Sequence, residues 1–259
     1  MKDVATGVMR WQDGGWTMGE PSPSPEEVPV AITIDGMSQA VLMATPHDLH
    51  DFALGFALTE GLIASPADVE GFEEAEVSAG GFAAIEARLW LRPGLAAGLA
   101  ERRRSMVGPV GCGLCGVDSI AAALPAIVPV ASDWSMPPGD VARAIAALAA
   151  GQVLRAQTPA IHGAAFWDGT GALTREDVGR HNALDKLAGA LALGGVDGGQ
   201  GAIAMSSRLS VDLVQKCARI GAPVLIGASA PTRLALDWAT RAGMTLIARA
   251  RGDAFDLYT

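Results

Sequence analysis

The apolar positions change rhythm along the chain, and each rhythm predicts an element. Pro29 to Ile34 and Gln39 to Ala44 are β-prone runs on either side of Asp35-Gly36. That pair accepts the positive φ angles of a tight two-residue turn, so the runs are expected to form a hairpin. From Pro46 the spacing turns helical. Leu49, Phe52 and Phe56 fall at i, i+3 and i+7, and Gly61 follows, which predicts an amphipathic helix closing near Glu60. Two further β-prone runs, about Val69 to Val77 and Ala83 to Leu91, complete an α+β lobe.

The second half alternates instead. Leu184, Leu187 and Leu191 mark a helix, and Ala202 to Met205 a short buried strand. Leu213, Cys217 and Ile220 mark the next helix, Pro223 to Ile226 a strand, Leu234 and Trp238 a third helix, and Met244 to Ala248 a last strand. Short connections between alternating helices and strands predict a layered α/β sheet covered by helices. Ahead of both halves, Glu20-Pro-Ser-Pro-Ser-Pro-Glu-Glu-Val-Pro29 has the composition of an extended lead-in, after which regular structure is expected to begin. The expected organisation is a lead-in over 1–28, an α+β lobe over 29–135 and an α/β domain over 136–259.

Composition narrows the function classes. Half of the 259 residues are apolar, yet no run reaches the roughly 18 uninterrupted apolar residues of a membrane span. Met1 to Gly15 carries charges and turn formers where a signal peptide needs a continuous apolar segment, so a soluble cytoplasmic protein is expected, with no membrane role. A net charge of −9 argues against a general nucleic-acid binder, which needs a surplus of Lys and Arg on its binding face. Three cysteines are too few for a disulfide scaffold and point to reduced thiols.

Two of them, Cys112 and Cys115, sit among four glycines in Gly111-Cys-Gly-Leu-Cys-Gly116, after Pro109 and with no periodic apolar pattern around them. A loop is expected there, able to present both thiols to a partner. The preceding Arg102-Arg103-Arg104 offers positive charge, which lowers a thiol pKa and favours the reactive thiolate. The competing reading is half of a structural zinc site, which has to recruit ligands from His47, His50, His162 or His181. A zinc nucleobase deaminase needs His-x-Glu followed by Pro-Cys-x-x-Cys. Here the Cys pair comes first and Gly163-Ala164 follow His162, so the general acid/base is missing. A thioredoxin-like motif opens a helix in a βαβ unit, which the glycines disfavour. Cys217 shares an apolar helix face with Leu213 and Ile220 and is expected to be inert.

Three strands of the second half run into loops of small polar residues and arginine: Ser206-Ser207-Arg208, Ser229-Ala-Pro-Thr-Arg233 and Arg249-Ala-Arg251-Gly252. Ligands of open α/β sheets gather at carboxyl strand ends, and helix amino ends offer N–H groups to phosphate, so a nucleotide-like ligand is one reading. The other is that Ser210 and Thr232 are ordinary helix caps and the arginines solvated surface. Glu176, Asp177, Arg180 and His181, in Glu176-Asp-Val-Gly-Arg-His-Asn-Ala-Leu-Asp-Lys186, form either a ligand-binding turn or a network of caps and ion pairs, the structural reading being slightly favoured.

Together with Phe52-Ala-Leu-Gly-Phe-Ala-Leu-Thr-Glu-Gly61, Ser207-Arg-Leu-Ser, Val214-Gln-Lys216 and Ser229-Ala-Pro-Thr, these segments resemble the formate dehydrogenase accessory protein family FdhD, from about Val28 to the Tyr258-Thr259 terminus. The resemblance implies a cytidine-deaminase-like fold for the second half without deaminase chemistry, and a homodimer. It implies that a cysteine desulfurase passes sulfane sulfur to Cys112, whose persulfide delivers it to bis-molybdopterin guanine dinucleotide destined for formate dehydrogenase. Cys115 would relay or resolve the persulfide. The family's cofactor-binding segment matches Arg249, Ala250, Arg251, Gly252, Asp253 and Ala254, and Ser207 and Ser229 are expected to join it. No zinc is expected. The alternative is a zinc-stabilised module that chaperones the cofactor or the enzyme without sulfur transfer. Many relatives run on for several residues beyond the position of Thr259.

Overall fold

The computed structural model describes residues 7–21, 23–95 and 125–259. The chain opens with a hairpin of β1 (Val8–Gln12) and β2 (Gly15–Gly19). Regular structure therefore begins before the proline-rich stretch, not after it. The turn is Asp13-Gly14, with φ angles of 53° and 79°, the same device as the Asp35-Gly36 turn at 48° and 74°.

That second turn joins β3 (Val28–Ile34) to β4 (Met37–Ala44), as the sequence predicts. Helix α1 (Leu49–Thr59) follows and ends at Glu60, then β5 (Val69–Ala79) and β6 (Phe82–Leu91). The four strands form a sheet in the order β4-β3-β6-β5, with β3 and β6 parallel. Phe52, Phe56 and Leu49 of α1 close one core against Val30, Ile32, Ile34 and Leu89 of the sheet. Burial of such side chains contributes roughly 1.5–3 kcal/mol each.

The second half holds α2 (Pro138–Gly151), β7 (His162–Trp167), β8 (Ala172–Asp177), α3 (Arg180–Leu193), β9 (Ala202–Met205), α4 (Val211–Ile220), β10 (Val224–Gly227), α5 (Arg233–Ala242), β11 (Thr245–Arg251) and β12 (Ala254–Tyr258). One six-stranded sheet runs β12-β11-β10-β9-β7-β8, parallel across β9, β10 and β11 and antiparallel elsewhere. Both faces are covered. Leu184, Leu187, Leu213, Cys217 and Trp238 of α3, α4 and α5 pack on one side, and Val141, Ala144 and Leu148 of α2 on the other. The continuous apolar runs of β9 and β10 follow from that double burial. The mixed α/β expectation is met. Among the described residues no helix is long and apolar enough to cross a membrane.

The two sheets are joined through α1 and α3, which pack backbone to backbone. A Cβ on Gly55 would overlap the Asp185 carbonyl, and one on Gly189 would overlap the Asp51 carbonyl. This close crossing places the carboxyl end of α1 against the first half of α3.

Candidate functional site

Parallel strands align their carboxyl ends, and β9, β10 and β11 do so here: Met205 lies beside Gly227, and Ile226 beside Ile247. The three loops singled out in the sequence therefore lie side by side. The Arg249 amide donates to the Ser229 carbonyl at 3.2 Å, and the Thr232 amide to the Leu209 carbonyl at 2.9 Å. Ser229, Arg208, Arg249, Arg251, Gly252, Asp253 and Ala254 are exposed. Ser207 is buried, its hydroxyl turned to the Arg208 carbonyl at 3.2 Å, and Ala250 is buried in the layer under α2. Arg249 sits at φ 51° where the β11–β12 register shifts, and its guanidinium pairs with Asp256 across that hairpin. Arg208 and Arg251 make no ion pair among the described residues. Thr232 is an ordinary cap, accepting from the Ala235 amide at 3.3 Å, whereas Ser210 caps no amide with its side chain.

The Glu176 to Lys186 segment reaches the same edge, because β7 starts and β8 ends there, with His162 opposite Asp177. Its acids are already engaged. Glu176 accepts the amides of Leu154 at 2.7 Å and Arg155 at 2.9 Å. Asp177 accepts those of Thr45 at 3.0 Å and Gly179 at 2.7 Å and the Asn182 side chain at 2.9 Å. It pairs with the fully buried Lys186 ammonium at 2.7 Å, which also donates to the Thr45 carbonyl at 2.9 Å. For Glu176 and Asp177 the structural reading holds: Asp177 ties the chain after β4 to the larger sheet, and Glu176 ties down the chain after α2.

A second buried cluster lies where α1, α3 and α4 meet. The Lys216 ammonium donates to Glu60 at 2.6 Å, Thr59 at 2.9 Å and both Asp185 oxygens at 2.9 and 3.0 Å. Thr59 donates to Asp185 at 2.6 Å. Burial pushes the Asp185 carboxyl up to about 6 against the pull of Lys216, and Lys216 itself is raised by its acidic partners. One turn away His181 Nε2 meets Asp212. Burial pushes the His181 imidazole down to about 4 despite Asp212, so at neutral pH the ring that meets Asp212 is neutral.

These shifts act on stability with opposite signs. Folded His181 holds fewer protons than the unfolded chain between its ordinary value of 6.5 and about 4, so its contribution is lost as pH falls through that window. Folded Asp185 holds more protons between its ordinary 3.8 and about 6, so its contribution grows as pH falls. His181→Asn, which keeps a donor for Asp212, removes only the first. Relative to wild type it is expected to gain on the order of 2–3 kcal/mol between pH 7 and pH 4.5, read from urea midpoints. Parallel pH profiles would refute the His181 assignment.

The other expected residues are dispersed. His50 stacks on Phe72 at 4.3 Å, His47 precedes α1, and His162 opens β7. Cys217 is fully buried, and its thiol is pushed up by burial, as expected of an inert cysteine. Cys112, Cys115 and Arg102 to Arg104 lie outside the described residues. The sequence reading passed over Asp185, Lys186 and Lys216 as individual groups. The available signal was charge beside or inside an apolar helical stripe: Asp185-Lys186 between Leu184 and Leu187, and Lys216 next to Cys217.

Residues 25–259 match the sequence profile of the FdhD/NarQ family. The sulfur carrier protein FdhD of Agrobacterium fabrum is 47% identical over 238 residues, covering 91% of this chain and 86% of the relative. The sulfur carrier protein FdhD of Cupriavidus necator is 44% identical over 253 residues, covering 97% and 86%. A crystal structure from Desulfotalea psychrophila, assigned as a formate dehydrogenase accessory protein, superposes with a TM-score of 0.75 at 25% identity over 98% of this chain and 95% of that one.

Proposed function

The chain belongs to the FdhD/NarQ family, and on that premise we propose that it is a sulfur carrier that serves a formate dehydrogenase. The observation that carries this reading is the similarity to sulfur carriers along nearly the whole chain, a span that includes Gly111 to Gly116 and all three strand-end loops. In the proposed reaction the Cys112 thiolate attacks the outer sulfur of a desulfurase persulfide. The donor S–S bond breaks, a Cys112 Sγ–S bond forms, and the desulfurase leaves as a thiolate, with no net oxidation. The outer sulfur then passes to bis-molybdopterin guanine dinucleotide as substrate: the acceptor supplies the electron pair, the Cys112 Sγ–S bond breaks, and Cys112 leaves as a thiolate. Cys115 relays the sulfur, or resolves the persulfide by attacking Cys112 Sγ and releasing hydrosulfide. Incubation with a cysteine desulfurase and cysteine should add one sulfur to the chain by intact mass. A cytoplasmic homodimer belongs to the same proposal.

The guanine-nucleotide ends of that substrate are proposed to lie against Ser207, Ser229 and Arg249 to Ala254. Arginine–phosphate contacts contribute roughly 1.5–3 kcal/mol each, so Arg251→Ala is expected to weaken GDP binding about tenfold to a hundredfold while leaving sulfur loading intact. Calorimetric titration is the test; equal affinities would remove Arg251 from the site.

The alternative, a zinc-stabilised chaperone, is separated by metal content. Purified protein is expected to hold no stoichiometric zinc by elemental analysis. One zinc per chain, lost together with folding in Cys112→Ala, would favour the chaperone.

A further inference from the structure

We propose that Arg180 and His162, with the amino ends of α3 and α4, form a binding site for a phosphoryl anion. Arg180 sits in an unfavourable place for a positive charge. Helix α3 opens with Arg180-His181, has no acid in its first turn, and is preceded by Gly179, which offers no side-chain cap. A guanidinium at the positive end of a helix dipole is disfavoured unless an anion accompanies it. Yet Arg180 is half-buried, its Nε is buried without an acceptor, and it makes no ion pair among the described residues.

The surrounding acids leave it unanswered. Glu176 is held by the Leu154 and Arg155 amides, Asp177 by Lys186 and three donors, and Asp212 by His181. Other polar atoms nearby are also unmatched. His162 Nδ1 is buried without a partner, and the positive charges of Arg155 and Arg180, after burial, help to hold its ring neutral. The His181–Asp212 contact brings the first turns of α3 and α4 together. At the head of α4, Ser210 is 8% exposed, and its hydroxyl bonds neither an amide of the helix nor any other described group.

A guanidinium fork, an imidazole, a buried hydroxyl and first-turn amides thus lie at one end of the sheet, and an oxyanion with several acceptor atoms is the ligand class that suits them. The site adjoins the strand-end loops, since Ser210 closes the loop that begins at Ser206. Assigning its phosphoryl group to a guanine nucleotide rests on the function proposed above; the anion site itself does not.

Pyrophosphate and GDP, titrated against wild type, Arg180→Gln and Arg251→Ala, test the assignment. Pyrophosphate should raise the melting temperature of wild type but not of Arg180→Gln, and bind the variant at least tenfold more weakly. Without ligand Arg180→Gln should melt no lower than wild type, because Arg180 makes no ion pair or side-chain hydrogen bond among the described residues. Ser210→Ala should weaken pyrophosphate binding severalfold in a fully folded protein. Loss of GDP binding in Arg180→Gln in step with pyrophosphate assigns the site to a nucleotide. Pyrophosphate binding without GDP binding in wild type keeps the anion site and removes the nucleotide reading. Equal pyrophosphate affinity in wild type and Arg180→Gln, or none in wild type at millimolar concentration, overturns the proposal.

Discussion

Cys112→Ala is expected to abolish both sulfur loading and activation of formate dehydrogenase in a strain lacking the native protein. The effect is categorical because the variant lacks the atom to which sulfur must bond, whereas loss of a binding contact only weakens affinity by a finite factor. No other described cysteine can substitute: Cys217 is sealed in the core between α4 and the larger sheet, and burial keeps it a thiol at neutral pH, when the nucleophile must be a thiolate. Cys217→Ala should accordingly retain activation. Full activation by the Cys112 variant would end the carrier proposal, and loading of Cys115 alone would reverse the order of the pair.

Lys186→Met should cause the largest loss of stability. Its ammonium is fully buried and answers the equally buried Asp177 carboxylate at 2.7 Å, in a knot that also holds Thr45 at the end of the smaller sheet. Methionine fills a similar volume but leaves Asp177 charged in the interior with only its neutral donors. Removing one partner of such a pair costs about 3–5 kcal/mol. For a chain of this size that corresponds to a melting temperature lower by roughly 6–20 °C. Asp177→Asn added to Lys186→Met should recover part of the loss, because it removes the stranded charge. A decrease below about 1 kcal/mol would show that the pair is not the tie between the sheets.

Local signals account for what the sequence made legible. Asp35-Gly36, the Leu49-Phe52-Phe56 stripe and the alternation after Leu184 each determine their own element, and all three appear where the residues place them. The convergence of the strand-end loops was legible too, since it follows from parallel pairing alone. Asp13-Gly14 carries the same turn signal as Asp35-Gly36, but the charged and glycine-rich segment around it masks the alternation of Met9 and Trp11 with Trp16 and Met18. Helix α2 was passed over although Val141, Ala144 and Leu148 fall at i, i+3 and i+7, a helical stripe set among alanines. β7, β8 and β12 are each longer than β9 or β10 but carry a weaker signal: β7 opens on His162-Gly163, β8 ends on Arg175-Glu176-Asp177, and Asp256 interrupts β12.

The buried charges were hidden for a different reason. Lys186 finds Thr45 from 141 positions away, and Lys216 finds Thr59 from 157, so their pairing is set by the α1–α3 crossing and not by any local pattern. The same holds for Arg180: its chemical interest comes from the acids that neighbours have already taken.

Mass spectrometry reads the proposed sulfur on Cys112 with no intervening assay. Wild type and Cys112→Ala are incubated with a cysteine desulfurase and cysteine, then measured intact and, after alkylation and digestion, as peptides. One added sulfur is expected on wild type, located on the peptide containing Gly111 to Gly116 and assigned to Cys112, and none on the variant. An unchanged mass for wild type, or the same gain on both proteins, would contradict the carrier role of Cys112.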